Sequence, residues 1–144
     1  MSKLPAVVGL VVCRRLQVDT STGQVNLIGI CHELQYLRFP TLPEPFTLYV
    51  HLYGGAGEGT IELLILSLET ERETYRYRRW AAFESGQFVH LEIPVKRCRF
   101  PAPGRYLLKL FFDSELLSDR LLDVKGLADH EQSSPQAMQN HPFG

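Results

Sequence analysis

The chain lacks long hydrophobic runs and an excess of charge of either sign. No stretch of its 144 residues reaches the roughly 18 consecutive apolar residues of a membrane helix. The formal net charge is −1, with 15 basic and 16 acidic residues. A strong field of one sign would favour nucleic acid or an anionic membrane, and this composition supplies none. The sequence predicts a soluble single-domain protein with no membrane partner.

Cysteine is also scarce. The chain has Cys13, Cys31 and Cys98, an odd number with no Cys-x-x-Cys spacing. This usage is typical of a reducing compartment, and it predicts a cytoplasmic protein without a disulfide framework. The opening "MSKLPAVVGLVVC" resembles an export signal cut before a cysteine, but such a site needs a small residue where Val12 stands. We interpret the valine-rich run as a first β-strand, about Ala6–Arg14.

Motifs that carry chemistry are absent as well. There is no Gly-x-Ser-x-Gly elbow, and the histidines show no metal-ligand spacing. The glycine-rich "GGAGEG" (54–59) leads into a strand, whereas a phosphate-binding loop leads onto a helix N-terminus. It therefore predicts a hairpin loop. The sequence predicts no catalytic residues, no metal and no cofactor, and an enzyme acting on a small molecule is the least favoured alternative.

What the chain does have is short apolar runs separated by turn residues. "FTLYVHLY" (46–53) alternates apolar and polar positions as a half-buried strand does, and "VNLIGICHEL" (25–34) reads as another strand. The proline-rich "RFPTLPEPF" (38–46) predicts an extended connection that crosses between sheets. A hairpin is predicted around Asp113-Ser114-Glu115. About eight such strands predict an all-β fold, an antiparallel immunoglobulin-like β-sandwich.

The last twenty residues differ from the rest in composition. "KGLADHEQSSPQAMQNHPFG" (125–144) is polar and has no apolar periodicity. Such a segment cannot bury enough apolar surface to offset the entropy lost on ordering. The predicted organisation is a β-sandwich domain at 1–124 and a disordered C-terminal tail at 125–144.

Two stretches carry a resemblance to known proteins. Pro103-Gly104-x-Tyr106 resembles the corner at which immunoglobulin-like domains enter their penultimate strand, which implies that the tyrosine hydroxyl bonds to upstream backbone. Residues 5–124, with "TGQVNLIGI", the proline-rich crossover and "PGRY", are similar to an uncharacterised bacterial β-sandwich family, a domain of unknown function. The resemblance implies the fold and no known activity.

The segment "TYRYRRW" (74–80) suggests where a partner would bind. If the strands at 46–53, 60–69 and 74–80 are consecutive in one sheet, alternation sends Ile61, Leu63 and Ile65 inward. The outer face then carries the candidate partner-binding residues Tyr49, His51, Leu64, Leu66, Arg76, Arg78 and Trp80.

The middle strand of this predicted face is apolar on both sides and needs cover. The cover is either the proline-rich segment Leu34–Phe46 or another chain. The sequence therefore predicts a non-catalytic interaction or scaffold module that binds another protein or itself. Single-stranded nucleic acid is the second hypothesis, because arginine and aromatic side chains on one sheet face can bind phosphate and stack bases. Neighbouring glutamates and the slightly acidic composition argue against it.

Overall fold

The structure, a computed structural model, describes residues 3–42 and 44–127. These residues form nine strands, β1 Ala6–Val18, β2 Val25–Cys31, β3 Glu33–Tyr36, β4 Phe46–Tyr53, β5 Gly57–Ser67, β6 Glu73–Phe83, β7 Phe88–Val95, β8 Gly104–Phe112 and β9 Glu115–Gly126. The valine-rich opening run is a strand, as predicted, and it extends four residues beyond Arg14.

The strands form two sheets that enclose one core. One sheet has the order β2-β1-β4-β7 and the other has the order β3-β9-β8-β5-β6. Alternate residues of β4 and β5 are fully buried or nearly so, and they meet in the core: Leu48, Val50, Leu52, Ile61, Leu63 and Ile65. The prediction of an all-β, immunoglobulin-like sandwich is confirmed, and so is the inward set of β5.

Nine strands are present instead of about eight because the segment predicted as one strand at 25–34 is two. β2 pairs with β1, and after His32 the chain changes sheets, so that β3 pairs with β9. The β3–β9 pairing is parallel, which departs from the predicted all-antiparallel arrangement. The apolar run continues through the break, so hydrophobicity alone gives no sign of it.

The proline-rich segment crosses from one sheet to the other, as predicted. It leaves β3 at the edge of the five-stranded sheet and enters β4 in the four-stranded sheet. Its middle is fixed to the loop between β7 and β8 by two hydrogen bonds. The Thr41 backbone N–H donates to the Phe100 carbonyl at 3.0 Å, and the Phe100 N–H donates to Thr41 Oγ1 at 2.9 Å.

The glycine-rich segment is not the predicted hairpin loop. It carries the chain from β4 in one sheet to β5 in the other, so β4 and β5 are not neighbours. Gly55 is tightly packed there: a Cβ atom would lie 3.0 Å from Phe83 Cγ and from Pro5 Cβ. Gly54 and Gly57 adopt positive φ angles of 83° and 88°, which glycine tolerates without strain. Glycine is therefore suited to this segment, because Gly55 has no room for a side chain and Gly54 and Gly57 need positive φ angles.

The corner before β8 has the predicted geometry. Tyr106 is buried, and its hydroxyl donates a hydrogen bond of 2.6 Å to the Ala102 carbonyl, four residues upstream. The prediction for this tyrosine is confirmed. The hairpin that follows is confirmed too, with Asp113 and Ser114 at positive φ angles of 48° and 70° between β8 and β9.

The predicted domain boundary is slightly early. Lys125 and Gly126 belong to β9, where they pair with Gln35 and Tyr36 of β3. The sheet therefore continues two residues past the boundary at 124. The remainder of the predicted disordered tail, residues 128–144, lies outside the described residues, and the prediction of disorder stays a prediction.

Candidate partner-binding face

The predicted site residues lie on two different sheets. Leu64, Leu66, Arg76, Arg78 and Trp80 belong to β5 and β6 of the five-stranded sheet. The other two predicted residues, Tyr49 and His51, belong to β4 of the four-stranded sheet. The prediction of one continuous face was wrong, because the glycine-rich segment crosses from one sheet to the other instead of forming a hairpin.

Within the five-stranded sheet the predicted orientation is right. Thr60, Glu62 and Leu64 alternate with the buried residues of β5. They pair with Trp80, Arg78 and Arg76 of β6. Paired residues share a face, so Arg76, Arg78 and Trp80 point outward. Ile65 and Leu63, which are buried, pair with Tyr75 and Tyr77, which therefore point inward.

The outward arginines of β6 are held by carboxylates. Glu62 Oε2 accepts from Arg76 Nη1 at 2.8 Å and from Arg78 Nε at 2.5 Å. Glu73 Oε1 accepts from Arg76 at 2.7 Å and 3.0 Å. Hydrogen bonds from Arg78 first, and then from Arg76, lower the pKa of Glu62, and the hydrogen bond from Arg76 lowers the pKa of Glu73. The two arginines are therefore largely neutralised on the protein's own surface.

This pairing counts against the nucleic-acid hypothesis. Single-strand binders present unpaired basic groups beside exposed aromatic rings. Both outward arginines of β6, Arg76 and Arg78, already have carboxylate partners, and Tyr75 and Tyr77 face the core side. The rings on this face include Trp80, which is 64% exposed, and the half-buried Phe111, the β8 partner of Glu62.

Beside the arginines lies a group of outward leucines that crosses three strands. Leu66 of β5 pairs with Leu107 of β8, and Leu107 pairs with Leu121 of β9. Leu64 lies two residues along β5, on the same side. We call these four residues, Leu64, Leu66, Leu107 and Leu121, the leucine face. Leu121 is 50% exposed and the other three are half-buried.

Sequence reasoning found only half of this face. Leu107 and Leu121 were not singled out, although each alternates with buried positions in its strand: Tyr106 and Leu108 flank one, and Leu122 follows the other. The alternation in β8 and β9 could have identified them. What the sequence did not give was the order of strands that places β8 and β9 beside β5.

Ion pairs border the leucine face on both sides. Towards one end lie the pairs of Glu62 with Arg76 and Arg78. Towards the other end, Arg105 of β8 contacts Asp123 of β9 at 3.3 Å, and Lys125 contacts Glu33 at 3.0 Å. The described part of the proline-rich segment crosses to the other sheet at the β3 edge and leaves Leu121 half exposed. Leu64 lies between its cross-strand partners Arg76 and Lys109, so the apolar centre consists of Leu66, Leu107 and Leu121, and the rim is charged.

Tyr49 and His51 form a separate cluster of rings on the four-stranded sheet. His51 stacks on His90, its cross-strand partner, with ring centroids 4.3 Å apart, and Phe88 lies 5.0 Å from His51. The Tyr49 hydroxyl is hydrogen-bonded to His90 Nδ1. Burial, and secondarily His90, lowers the pKa of His51, whose Nε2 has no hydrogen-bond partner within the described residues.

The three cysteines are free thiols. Cys13 and Cys98 are buried, and burial raises the pKa of the Cys98 thiol to about 12. Across residues 3–42 and 44–127, no group of three or more His, Cys, Asp or Glu side chains is placed to hold a metal ion. Over the same residues, no helix has both the length and the apolar character needed to span a membrane.

The chain was compared with known protein families. The model of a family of unknown function (DUF6941) matches residues 9–125. The chain belongs to this family. The match covers nearly the whole sandwich, and it confirms the resemblance of residues 5–124 to an uncharacterised family. No curated protein matches the chain.

Solved structures with a similar fold share little sequence with this family member. An immunoglobulin-like protein from Pseudomonas aeruginosa is 15% identical with a TM-score of 0.45, over 85% of this chain and 97% of that chain. A beta-glucosidase from Listeria innocua is 13% identical with a TM-score of 0.49, over 85% of this chain and 16% of the enzyme. A beta-glucosidase from Kluyveromyces marxianus is 14% identical with a TM-score of 0.43, over 64% of this chain and 14% of the enzyme. At these values the likenesses say nothing about activity.

Proposed function

We propose that this protein is a non-catalytic, cytoplasmic interaction module that associates with a second copy of itself through the leucine face. The observation that carries the proposal is the arrangement of that face. Four leucines from three strands lie together on an outer sheet surface, and ion pairs border them. An apolar centre depleted of charge inside a polar rim is the composition of protein–protein interfaces.

Exposed apolar surface supports association in general. Contiguous apolar patches on the surface of monomers are limited in size, and larger ones often mark partner sites. Burying the leucines against another chain removes their apolar surface from water, which stabilises a complex. Arg78 and Trp80 at the rim add the side-chain types that are enriched among the residues contributing most to binding.

The charges of the face support a second copy as the partner. Acidic and basic side chains are nearly equal in number on this outer surface, six against five: Glu33, Glu58, Glu62, Glu73, Asp119 and Asp123, and Arg76, Arg78, Arg105, Lys109 and Lys125. A face with one sign of charge would repel a copy of itself and select an oppositely charged partner. A balanced face carries no such net repulsion, so two copies can approach.

Sedimentation velocity over a series of protein concentrations tests this proposal. The wild type should show a concentration-dependent dimer. Leu121→Glu should shift it to monomer, because a charge at the centre of a dry interface is left without a partner. Leu121 is half exposed, so the substitution should leave the fold intact. Ile30→Glu is the matched control, since Ile30 is 63% exposed on the other sheet and should not affect association.

Two results would contradict the proposal. If the wild type stays monomeric at every concentration, the leucine face does not bind a second copy. If Ile30→Glu dissociates the dimer as fully as Leu121→Glu, the interface lies elsewhere. Arg78→Ala adds a graded readout: it should weaken the dimer by several-fold while leaving the melting temperature within about two degrees, as exposed surface substitutions usually do.

A further inference from the structure

A cleft of about 680 Å³ opens beside the turn between β5 and β6, at one end of the sandwich. Three parts of the chain form it: the turn from Ser67 to Thr74 between β5 and β6, the loop between β7 and β8, and Pro40 of the crossing segment. Its volume lies within the range of small-molecule sites, which is roughly 300–1,000 Å³. We call it the end cleft.

Two arginines line the end cleft, one from each side. Arg72 comes from the β5–β6 turn and Arg99 from the β7–β8 loop. Among the described residues, neither has an ion pair or a side-chain hydrogen bond, unlike Arg76 and Arg78 a few positions along. Two arginines with free guanidinium donors therefore line the same cleft.

The backbone beneath both arginines is fixed. Arg99 lies between Cys98 and Phe100, which are both fully buried or nearly so, and Phe100 is bonded to Thr41. The Arg72 N–H donates to Thr70 Oγ1 at 3.3 Å, and its carbonyl accepts from the Ser67 N–H at 2.9 Å. A site whose backbone is already ordered loses less entropy when a ligand binds.

Hydroxyl groups complete the polar lining. Ser67 and Thr70 accept backbone N–H bonds through their oxygens, which leaves their own hydroxyl protons to be donated. One carboxylate, Glu73, also lines the cleft, but it is bonded to Arg76 at 2.7 Å and so is largely neutralised. Pro40, Pro101 and Ala102 give the remaining wall an apolar character.

We infer that the end cleft binds a small molecule carrying a phosphate group, which Arg72 and Arg99 hold between them. A phosphate monoester carries a charge of about −1.5 to −2 at pH 7, and two guanidinium groups match it. Planar guanidinium forks bind phosphate oxygens in bidentate fashion, and hydroxyl donors satisfy the oxygens that remain. The apolar wall would contact the rest of the ligand. Arg72 and Arg99 are not part of the leucine face, so the inference does not rest on self-association through that face.

Titration of the ¹⁵N-labelled full chain with inorganic phosphate, pyrophosphate and citrate at fixed ionic strength tests the inference. Phosphate and pyrophosphate should give saturable chemical-shift changes at the amides of Thr70, Arg72 and Arg99, and citrate should bind more weakly than pyrophosphate. Arg72→Gln and Arg99→Gln should each raise the dissociation constant for pyrophosphate by about tenfold, the effect of losing one charge-assisted hydrogen bond.

Arg97→Gln is the matched control. Arg97 lies on the same loop and is exposed, and its substitution changes the net charge identically. It should alter pyrophosphate binding by less than about twofold, since residues outside the contact contribute little. The inference is overturned if no probe gives saturable shifts, if citrate binds more tightly than pyrophosphate, if either lining arginine can be removed without loss, or if Arg97→Gln weakens binding as much as the other two.

Discussion

The two outward arginines of β6 and the two arginines of the end cleft have contrasting electrostatic surroundings. On the sheet face, Arg76 and Arg78 share the carboxylate of Glu62, and Arg76 also holds Glu73. In the cleft, Arg72 and Arg99 are without carboxylate partners among the described residues. Arg72 and Arg76 lie on the same hairpin, so proximity in sequence does not decide which arginine is available.

The cause of the difference is secondary structure. Arg76 and Arg78 are in a paired strand, where cross-strand register places Glu62 directly beside them. Arg72 is in the turn and Arg99 in a loop, where no partner strand supplies a carboxylate. The paired arginines are suited to the rim of a protein interface, and the unpaired ones are suited to an anionic ligand.

Tyr106→Phe should produce the largest effect and should separate the two regions. Its hydroxyl bonds the carbonyl of Ala102, which lines the end cleft. Removing the hydroxyl breaks this part-buried hydrogen bond, so the free energy of unfolding should fall by about 1–2 kcal/mol. Pyrophosphate binding should weaken, while dimerisation through the leucine face should not change.

Urea denaturation and the same phosphate titration measure both consequences. Tyr53→Phe serves as the control, because Tyr53 is 40% exposed on the other sheet and its loss of a hydroxyl should be neutral. A Tyr106→Phe variant as stable as the wild type would mean that the corner hydrogen bond does not hold the loop.

Glu62→Gln should have a smaller effect, confined to the sheet face. The substitution removes the charge that Arg76 and Arg78 share, and exposed ion pairs contribute about 0.2–1 kcal/mol each. The free energy of unfolding should therefore fall by about 1 kcal/mol, with pyrophosphate binding unchanged. Glu58→Gln on the same strand is the control, since Glu58 is exposed and has no ion pair within the described residues. Equal losses in both variants would show that the pairing of Glu62 contributes nothing.

Much of the fold was predictable because alternation is a local property. The inward set of β5, the outward set of β6 and the crossing by the proline-rich segment all follow from period-two patterns and turn chemistry. The predictions that failed concern pairings between segments far apart in sequence. "GGAGEG" has the composition of a hairpin loop, and only the strand order of the two sheets shows that it passes between them.

The candidate site was predictable in part for the same reason. Leu64, Leu66, Arg76 and Arg78 were identified from one hairpin, whose register is set locally. Leu107 and Leu121 join them only through the order of strands in the sheet. The end cleft was not foreseen at all, because it unites a turn, a loop and one proline from segments far apart in sequence.

Acid should weaken the sheet face gradually, and this is the smallest expected effect. The pKa values of Glu62 and Glu73 are lowered from their usual value of 4.5, mainly by hydrogen bonds from Arg78 and Arg76 respectively. Because the folded state binds these protons less readily than the unfolded state, the pairs contribute their full stability above pH 4.5. That contribution is lost as the pH falls below 4.5 through the lowered pKa values.

Thermal melts of wild type and Glu62→Gln from pH 7 to pH 3 measure this loss, since groups common to both chains cancel in the difference. The two melting temperatures should differ at pH 7 and converge as the pH falls. A difference in melting temperature that stays constant down to pH 3 would mean that the charge of Glu62 does not stabilise the face. The paired arginines of β6 would then differ from the arginines of the cleft in geometry alone.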